Sequence, residues 1–419
     1  MAAIRPLTAL HYDLEHAGPL RDLIAPPYDV IDADQREALA ARSPYNVVHV
    51  DLPTGDDPYE NAARTFGRWR DEGAVVLDTT PALWALTQEF TDPGGARRTR
   101  SGFLCAVRVE PYGAGRIRPH ERTHPGPKED RLRLTRATEA NLSPIFALYD
   151  DRRHLAWSEL ADNTAGPPFA EATSDDGTMN RLWRIDDDES LDIVEARLDG
   201  TELLIADGHH RYETARVYAE EIGGEGEHRY VLMLLTPLSD PGLTVFPTHR
   251  LLTGLKDDSQ KQEALAAALK GDFEVEQIDA DRLEPSGPDG RVRFGYMDSH
   301  FKRPFMLTLK DQLLADETLK GHSDAYRRLD TAVLEALVLQ GALGMSEEDI
   351  AEKHGLDYSK DFADARQAVE SGRADAAFFM APTPVEQVRE VAEAGESMPP
   401  KSTYFFPKIP TGLVFNVLE

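Results

Sequence analysis

The sequence predicts a mixed α/β fold (α/β or α+β) arranged in two lobes. Segments in which apolar and polar residues alternate, typical of strands, are interleaved with segments of helical periodicity along the chain. Near Leu251 the pattern changes, and long helical segments become more prominent. A chain of 419 residues is long enough for two or three domains. We therefore expect a first lobe over residues 1–250 and a second α/β lobe over residues 251–419.

The first lobe is expected to contain a rigid extended segment at residues 25–31, because Pro26 and Pro27 fix their own φ angles and disfavour helix before them. Apolar alternation predicts strands, and 3.6-residue periodicity predicts helices. The predicted strands are residues 46–52, 82–90, 101–109, 181–185, 202–205, 230–235 and 243–246. The predicted helices are residues 34–42, 58–73 and 212–222.

The second lobe combines predicted helices with predicted strands. Helical patterns cover residues 255–270 and 325–343, and strand patterns cover residues 291–297, 305–309 and 374–380. A further helix is predicted to start at Thr383, with Thr383 as N-cap, Pro384 at the first helical position and Glu386 at the third. The tail, residues 398–418, is rich in aromatic residues, and we expect it to be folded.

The chain is strongly acidic, with 74 Asp and Glu against 46 Lys and Arg and a net charge of −28. Such a surface favours solubility and repels nucleic acid, so no nucleic-acid partner is expected. Any phosphate site has to supply its own positive charge. The most basic window of the chain spans residues 116–136.

Membrane and extracellular locations are not expected. The sequence has no run of 18 apolar residues, and its start lacks the apolar core of a signal peptide. The single cysteine, Cys105, excludes an internal disulfide and a metal site built on cysteines. We therefore expect a cytoplasmic protein without a membrane partner.

The pattern richest in chemistry is Asp207-Gly208-His209-His210-Arg211, which follows a strand-like run and opens a helix. The first backbone N–H groups of a helix lack acceptors inside the helix, and the helix dipole adds positive charge there. Arg211 adds a full positive charge. This corner is predicted to hold an anion, most plausibly a phosphate. The competing interpretation is structural, with one histidine buried and hydrogen-bonded and the other on the surface.

A second pattern, His120-Glu121-Arg122-Thr123-His124, matches the histidine spacing of zinc proteases. That chemistry needs both rings on one continuous helix, whereas Pro119 precedes the pattern and Pro125 follows it. A strand end that feeds a loop is expected instead. Glu121 could act there as a general base, or it could simply pair with a neighbouring arginine.

Five segments together resemble the family that contains the domain of unknown function 1015. They are residues 26–30, 120–123, 206–215, 247–250 and 402–408. That family is similar to the ParB/sulfiredoxin superfamily, whose members bind a nucleotide phosphate at a Gly-x-x-Arg helix start. Gly208 to Arg211 matches this box. The resemblance implies a ParB/sulfiredoxin-like nucleotide-binding core in the first lobe, with the second lobe added to it.

The resemblance extends to the free-serine kinase, whose box also reads Asp-Gly-His-His-Arg and whose catalytic glutamate follows an Ile-x-x-His-Glu-like segment. Ile117 to Glu121 resembles that segment. The resemblance implies a kinase of free L-serine or a similar small hydroxyl compound, which uses Mg²⁺ with ATP or ADP. It implies Glu121 as base, with His209 and His210 stabilising charge on the transferred group. Asp207 would lie near the magnesium, and residues 207–211 would bind the phosphates.

Other residues are expected to contact the substrate or to support the site: His120, Thr123, His249, Arg250 and Lys408, with Arg98 and Arg100 as further candidates. Sulfiredoxin chemistry is excluded because His209 stands where those enzymes carry cysteine, and a ParB function is excluded because a basic DNA-binding half is missing. Three alternatives stay open: another nucleotide hydrolase or transferase, a non-catalytic nucleotide-binding regulator, and a metal-dependent hydrolase with zinc on His120 and His124.

Overall fold

The computed structural model describes residues 4–113, 115–121, 123, 125–287 and 290–419, and for Pro125 and Pro127 only the backbone. The chain divides into two compact units. The first consists of Met1–Pro119, Thr123–Thr244 and Pro407–Glu419, and the second of His120–Arg122 and Val245–Phe406. Each unit contains helices and strands, which confirms the mixed α/β class. The predicted division of the chain at Arg250, with nucleotide binding in the first lobe and a second lobe added to it, stays a prediction.

The strands, in chain order, are β1 Ile4–Arg5, β2 Leu10–Tyr12, β3 Val75–Leu77, β4 Leu83–Thr91, β5 Arg97–Arg108, β6 Ile117–Arg118, β7 Ala140–Asn141, β8 Ile145–Tyr149, β9 Ala170–Thr173, β10 Met179–Ile185, β11 Leu203–Asp207, β12 Tyr230–Pro237, β13 Thr244–Phe246, β14 His249–Leu252, β15 Phe273–Gln277, β16 Arg293–Asp298, β17 Phe305–Leu309, β18 Leu356–Ser359, β19 Ala376–Phe379, β20 Tyr404–Phe406 and β21 Asn416–Val417.

The helices, in chain order, are α1 Leu14–Ala17, α2 Leu20–Leu23, α3 Ala33–Ala40, α4 Val48–Asp51, α5 Pro58–Asp71, α6 Pro125–Thr138, α7 Leu155–Ala161, α8 Asp188–Leu198, α9 His209–Ile222, α10 Ser259–Asp272, α11 Gln312–Thr318, α12 Asp324–Arg327, α13 Asp330–Val333, α14 Glu347–Ala351, α15 Phe362–Ser371 and α16 Val385–Glu393. A π-helix, Leu334–Ala342, continues directly from α13.

The first unit is built on a mixed sheet with the strand order β6-β11-β8-β12-β5-β4-β10-β9, and β1 pairs with β5. The β6–β11 and β8–β12 pairs are parallel, whereas β11–β8 and β12–β5 are antiparallel. Alternate residues of one strand, such as Phe103, Cys105 and Val107 on β5, join one core with residues from α7, α8 and α9. The sheet is thus a rigid base for the end of β11 and the start of α9.

The second unit is built on an antiparallel sheet with the strand order β15-β17-β16-β19-β14-β18. Successive residues of its strands enter different cores because strand side chains alternate between faces. Phe378 belongs to the core that includes residues of α10 and the π-helix. Phe379 belongs to the core that includes residues of α15. The sheet of this unit is therefore covered on both faces.

Most elements predicted for the first lobe are confirmed, including α3, α5, α9, β4, β5, β10, β11 and β12. The strand predicted at residues 46–52 is wrong, because this segment contains the helix α4. Asn46 accepts a hydrogen bond from Val48 N at 3.0 Å, and its amide donates to the carbonyls of Asp22 and Ile24. Val47, Val48 and Val50 are all fully buried, so the segment has no solvent-facing side of the kind that alternation implied. The extended segment predicted at residues 25–31 is interrupted by a short 3₁₀-helix, Tyr28–Val30.

In the second lobe, β16, β17, β19 and α10 confirm the predicted elements, and the aromatic tail is folded. The single helix predicted at residues 325–343 is wrong, since it is broken into α12, α13 and the π-helix. Ser323 caps α12, and Asp330, which opens α13, accepts a hydrogen bond from Arg293 N at 3.2 Å. The helix predicted after Thr383 exists, but its N-cap is Pro384, and Thr383 Oγ1 donates to the Ser402 carbonyl at 2.8 Å.

In the part of the chain that the structure describes, no helix combines the length and apolarity needed to cross a membrane.

Candidate functional site

The candidate site of the first unit lies where β11 ends and α9 begins. The first four residues of β11 are buried, and the fifth, Asp207, is partly buried at the end of the strand. The register of the β11–β8 pairing shifts between Ile205 and Asp207. A register shift of this kind bends a strand and re-aims the side chains beside it. Gly208 follows with φ +94° and ψ +27°, and α9 begins at His209. The chain thus turns at once from sheet to helix, as the sequence predicts.

Gly208 is required at this turn for two physical reasons. Its φ of +94° lies in the left-handed region, which costs a residue with a Cβ atom about 1–2 kcal/mol. A Cβ atom at this position would also lie 3.1 Å from the guanidinium group of Arg211. The glycine therefore allows the Arg211 side chain to fold back against the start of its own helix.

Asp207 binds two cations of the first unit. Its Oδ2 accepts a hydrogen bond from Arg211 Nη2 at 2.7 Å, and its Oδ1 forms an ion pair with Lys408 Nζ. Burial alone would raise the pKa of Asp207, but the charges of Lys408 and Arg211 outweigh burial and hold it well below its usual range. Asp207 is therefore an anion that orients two cations at the start of α9.

Arg211 is anchored on both sides of this corner. Besides Asp207, it donates through Nη1 to Ser143 Oγ at 2.7 Å and to the Pro144 carbonyl. Its guanidinium group is thus held in one orientation before any ligand arrives. Arg211 thus links α9 to Ser143 and Pro144, which directly precede β8. Its predicted contact with a phosphate stays a proposal.

The two histidines of the corner differ in exposure. His209 is buried, at 4% exposed, and its charge is among the influences that lower the pKa of Asp207. His210 is partly exposed. The competing, purely structural interpretation predicts one buried histidine and one on the surface. His209 is the buried residue, and His210 is the more exposed of the two. The roles in phosphoryl transfer remain predictions for both.

Arg100 is buried, at 1% exposed, although arginine rarely is. It donates hydrogen bonds to Gln88 Oε1 and, at 2.6 Å, to the Pro407 carbonyl. The Cζ atom of its guanidinium group lies 4.4 Å from the centre of the Phe146 ring. Burial lowers its pKa to about 9, while Asp240 and Asp207 act in the opposite direction. Arg100 thereby fixes the backbone immediately before Lys408. Arg98, the other candidate, pairs on the surface with Asp92 at 2.9 Å.

In the second unit, His120 and Glu121 lie beside Thr403. His120 is fully buried, and its Nε2 lies 2.9 Å from Thr403 Oγ1. Thr403 Oγ1 donates a hydrogen bond of 3.5 Å to Glu121 Oε1. The Glu121 side chain keeps 33% of its surface exposed. Thr403 therefore contacts both His120 and Glu121, and so connects two of the segments that carry the family resemblance, residues 120–123 and 402–408. The sequence alone gives no reason to select Thr403.

The second histidine of the zinc-protease pattern, His124, lies outside the described residues, as does Arg122. His120 and Glu121 are not helical, and α6 begins at Pro125. Thr123 is half-buried and belongs to the first unit. Among the described residues, no cluster of three or more His, Cys, Asp or Glu side chains could hold a metal ion.

His249 and Arg250 lie on β14 in the second unit and are both buried. The ring of His249 accepts a hydrogen bond from Met380 N through Nδ1 at 3.1 Å, and its Nε2 lies 3.5 Å from Glu284 Oε2. Burial, with help from the charge of Arg250, lowers the pKa of His249 to about 4, so His249 is neutral at pH 7. Arg250 donates to the Thr248 carbonyl and lies 5.4 Å from the ring centre of Tyr358. Of this pair only Arg250 is a cation at neutral pH, and the predicted substrate or supporting role of both residues stays a prediction.

Residues 4–332 match the family described as "Protein of unknown function (DUF1015)". The chain belongs to this family. The match confirms the resemblance to the domain of unknown function 1015, whereas the wider ParB/sulfiredoxin relation stays a prediction. A search of curated proteins found no match.

Solved structures provide distant likenesses. A conserved hypothetical protein from Pyrococcus furiosus is 17% identical, covering 74% of this chain and 95% of its own, with a TM-score of 0.37. A free serine kinase in complex with AMP is 15% identical, covering 74% of this chain and 92% of its own, with a TM-score of 0.39. SbnI from Staphylococcus aureus is 11% identical, covering 75% and 87%, with a TM-score of 0.37. Likenesses at this level do not assign a function.

Proposed function

We propose that this protein is a nucleotide-dependent kinase that phosphorylates free L-serine or a similar small hydroxyl compound. The observation that carries the proposal is the corner of the first unit, where Asp207 holds Arg211 and Lys408 at the start of α9. In a chain of net charge −28, two oriented cations at a helix start make an unusual local environment that favours phosphate. The sequence resemblance of the box and of the Ile117 to Glu121 segment supports kinase chemistry. A ParB/sulfiredoxin-like core belongs to the same proposal.

The phosphates of the nucleotide would bind to the backbone N–H groups at the start of α9, where the helix dipole favours negative charge. Lys408 would move its charge from Asp207 toward the phosphates, and Arg211 would keep Asp207 in place. His209 and His210 would stabilise the charge that develops on the transferred group. Of these groups, Arg211 is already anchored to Asp207, Ser143 and Pro144, whereas Lys408 has to turn from Asp207 toward the phosphates.

Glu121 is the proposed base. The acceptor hydroxyl would attack the terminal phosphorus while the bond to the leaving nucleotide oxygen breaks, and its proton would pass to the Glu121 carboxylate. The Thr403 hydroxyl, which donates to Glu121 Oε1, would hold the carboxylate in one orientation. The assignment of Glu121 as base rests on the resemblance of the Ile117 to Glu121 segment to the free-serine kinase.

A magnesium ligand at Asp207 does not fit the placement of that residue. Both carboxylate oxygens already accept from cations, Arg211 and Lys408, and one of these contacts would have to open for a metal. Mg²⁺ commonly binds through substrate phosphates with only one or two protein carboxylates, which is compatible with nucleotide-borne metal. The steps above therefore rely on the side chains and backbone of the protein itself.

The test incubates the protein with Mg²⁺, an amino-acid mixture and either ATP or ADP, and identifies the products by mass spectrometry. The proposal expects phosphoserine or another phosphorylated acceptor, and the two arms identify the donor. Glu121→Gln should abolish the product while nucleotide affinity, measured by calorimetry, stays unchanged. Glu276→Gln, which changes an exposed glutamate on β15 of the same unit, is the matched control.

Other outcomes separate the alternatives. Nucleotide binding without a phosphorylated product would overturn the kinase and leave a nucleotide-binding regulator. Release of inorganic phosphate without an acceptor would identify a nucleotide hydrolase. Stoichiometric zinc in the purified protein, lost in His120→Ala, would favour the metal-dependent hydrolase.

A further inference from the structure

Three buried polar side chains lie side by side across the sheet of the first unit: Arg100 on β5, Gln88 on β4 and Asn180 on β10. We refer to them as the polar row. Arg100 is the register partner of Gln88, and Gln88 is the register partner of Asn180. Residues directly opposite each other on adjacent strands share one face of the sheet. Each of the three is only 1% exposed. The proposed phosphate site does not account for Gln88 or Asn180.

The hydrogen bonds of the polar row all run in one direction. Asn180 Nδ2 donates to Ser174 Oγ at 2.9 Å, which leaves the amide oxygen of Asn180 for Gln88. Gln88 Nε2 donates to this oxygen at 2.8 Å, and Gln88 Oε1 accepts from Arg100 Nε at 3.2 Å. A side-chain amide has one oxygen and two N–H donors. Because the oxygen of Gln88 is used by Arg100 and one N–H donor by Asn180, a second N–H donor is available for a further acceptor.

That further acceptor is the backbone of the segment that carries Lys408. Gln88 Nε2 also donates to the Lys408 carbonyl at 3.2 Å, and Arg100 Nη2 donates to the Pro407 carbonyl at 2.6 Å. Residues 407–410 lie outside the helices and strands. Backbone groups that are buried without regular secondary structure need side-chain or water partners. The polar row supplies them at two successive residues, and so fixes the point from which the Lys408 side chain extends.

The polar row also contacts the strand beside Asp207. The Cζ atom of Arg100 lies 4.4 Å from the centre of the Phe146 ring. Phe146, on β8, is the register partner of Asp207 on β11. Arg100 therefore contacts both sides of the ion pair between Asp207 and Lys408: the backbone before the lysine and the cross-strand neighbour of the aspartate. A displacement of Arg100 would change the separation of the two charges.

Packing alone does not explain the polar row. Within the described part of the chain, Arg100 donates only to uncharged oxygens, those of Gln88 and Pro407, and its Nη1 atom has no hydrogen-bond partner. Well-packed apolar side chains are often at least as stabilising as buried charged groups. Apolar side chains cannot, however, hold two backbone carbonyls in place. The polar row is thus suited to orienting the segment that it binds.

We propose that Arg100, Gln88 and Asn180 are positioning residues, which set the place of the Lys408 ammonium group beside Asp207 and thereby the affinity of the start of α9 for phosphate. The first part of this inference concerns the protein without a ligand. The second part rests on the proposed function. Asn180 acts through Gln88, whose amide it orients, and Gln88 and Arg100 act through the backbone of residues 407 and 408.

Two variants change different parts of the polar row. Gln88→Glu keeps the length of the side chain and an acceptor for Arg100, but it removes the N–H donors for Asn180 and for the Lys408 carbonyl. Asn180→Leu replaces the far end of the row by an apolar side chain of similar size. Leu182→Ala is the matched control, because Leu182 is also 1% exposed and lies two positions along β10. Its truncation destabilises the same strand without removing a hydrogen bond of the row.

The test follows Lys408 by NMR of isotope-labelled lysine side chains without any ligand, and Lys408→Met identifies its signal. In Gln88→Glu and Asn180→Leu this signal is expected to move toward those of exposed lysines such as Lys256. The affinity for ADP, measured by calorimetry, is expected to fall about fivefold, as for the loss of one net hydrogen bond. Leu182→Ala should leave the signal and the affinity as in the wild type, although its melting temperature falls.

The outcomes separate this inference from the proposed function. An unchanged Lys408 signal in both row variants would overturn the inference, whether or not the wild type binds ADP. Unchanged ADP affinity in variants whose signal has moved would overturn its second part. A wild type that binds no nucleotide would overturn the proposed function, whereas a moved signal in both variants would still support the positioning of Lys408. Thermal melting checks the fold of Gln88→Glu, and Asn180→Leu, which introduces no charge, keeps the test decisive if that variant does not fold.

Discussion

Lys408 follows Asp207 by 201 positions in the sequence, yet its Nζ forms an ion pair with Asp207 Oδ1. Arg211, four positions after Asp207, takes the other carboxylate oxygen at 2.7 Å. Both pairs are largely shielded from solvent, with the three side chains between 12% and 19% exposed. Electrostatic interactions are stronger in such surroundings than at an exposed surface. The Asp207 carboxylate therefore holds two cations at the start of α9, Arg211 from nearby in the sequence and Lys408 from far along the chain.

Replacing Lys408 by methionine should weaken nucleotide binding about tenfold, or about 1.4 kcal/mol, because the phosphates would lose one of the two cations. The free energy of unfolding should fall by about 1–3 kcal/mol, since Asp207 would keep only Arg211. Isothermal calorimetry and urea denaturation measure the two effects. Lys256→Met, at an exposed position, should change neither. Unchanged nucleotide affinity in Lys408→Met would remove Lys408 from the proposed site.

Replacing Gly208 by alanine should cost about 1–2 kcal/mol of stability because of its positive φ, and should also push aside the guanidinium group of Arg211. Gly73 is the matched control, since its φ is +74° and a Cβ atom there would have no neighbour within 4 Å. In urea denaturation Gly73→Ala should show the cost of the positive φ alone, and Gly208→Ala should lose at least as much stability. Only Gly208→Ala should also lose nucleotide binding. Equal nucleotide affinity in the two variants would argue against a phosphate site at the start of α9.

Replacing Arg131 by methionine should lower the free energy of unfolding by about 3–5 kcal/mol, because buried Asp51 would lose its cation. Arg133, two positions along α6, offers a contrast. Its pair with Glu129 at 2.9 Å is exposed on both sides, so Arg133→Met should leave the free energy of unfolding almost unchanged. Urea denaturation of both variants gives the comparison. A similar small effect in the two would mean that Asp51 finds another donor when Arg131 is absent.

The stability of the protein should decrease as the pH falls from about 6.5 to about 4. Burial lowers the pKa of His249 to about 4, whereas histidine in an unfolded chain titrates near 6.5. In this interval the unfolded chain binds the proton and the folded protein does not, so acid favours unfolding, by up to about 3 kcal/mol. Above pH 6.5 both states are neutral at this residue and it contributes no slope.

The variant His249→Asn should remove this part of the pH dependence, measured as the free energy of unfolding at several pH values. Asparagine keeps an acceptor for Met380 N but does not titrate. His300→Asn, at an exposed position, should leave the slope as it is in the wild type. An identical slope in all three proteins would assign the pH dependence to other groups.

Local sequence was sufficient to predict the corner at Asp207, because an apolar run, a glycine and a helical segment follow one another within a few residues. The strand predicted at residues 46–52 is wrong because their alternating pattern belongs to a short, buried helix, whose first residue, Val48, donates its backbone N–H to Asn46 Oδ1. Neither Lys408 beside Asp207 nor Thr403 beside Glu121 could be foreseen. These contacts join distant segments, and no local periodicity or spacing encodes them.

The segment Pro407–Glu419 belongs to the first unit, although residues 245–406 of the second unit precede it in the chain. It is tied in by backbone hydrogen bonds between Ala25 and Thr411 and between Leu10 and Phe415. During synthesis, a nascent chain that has passed Thr244 already carries Asp207 and Arg211 but not Lys408. The ribosome has to deliver Val245–Phe406 of the second unit before the last cation of the corner exists, so the charge at the start of α9 is completed only after that segment has been synthesised.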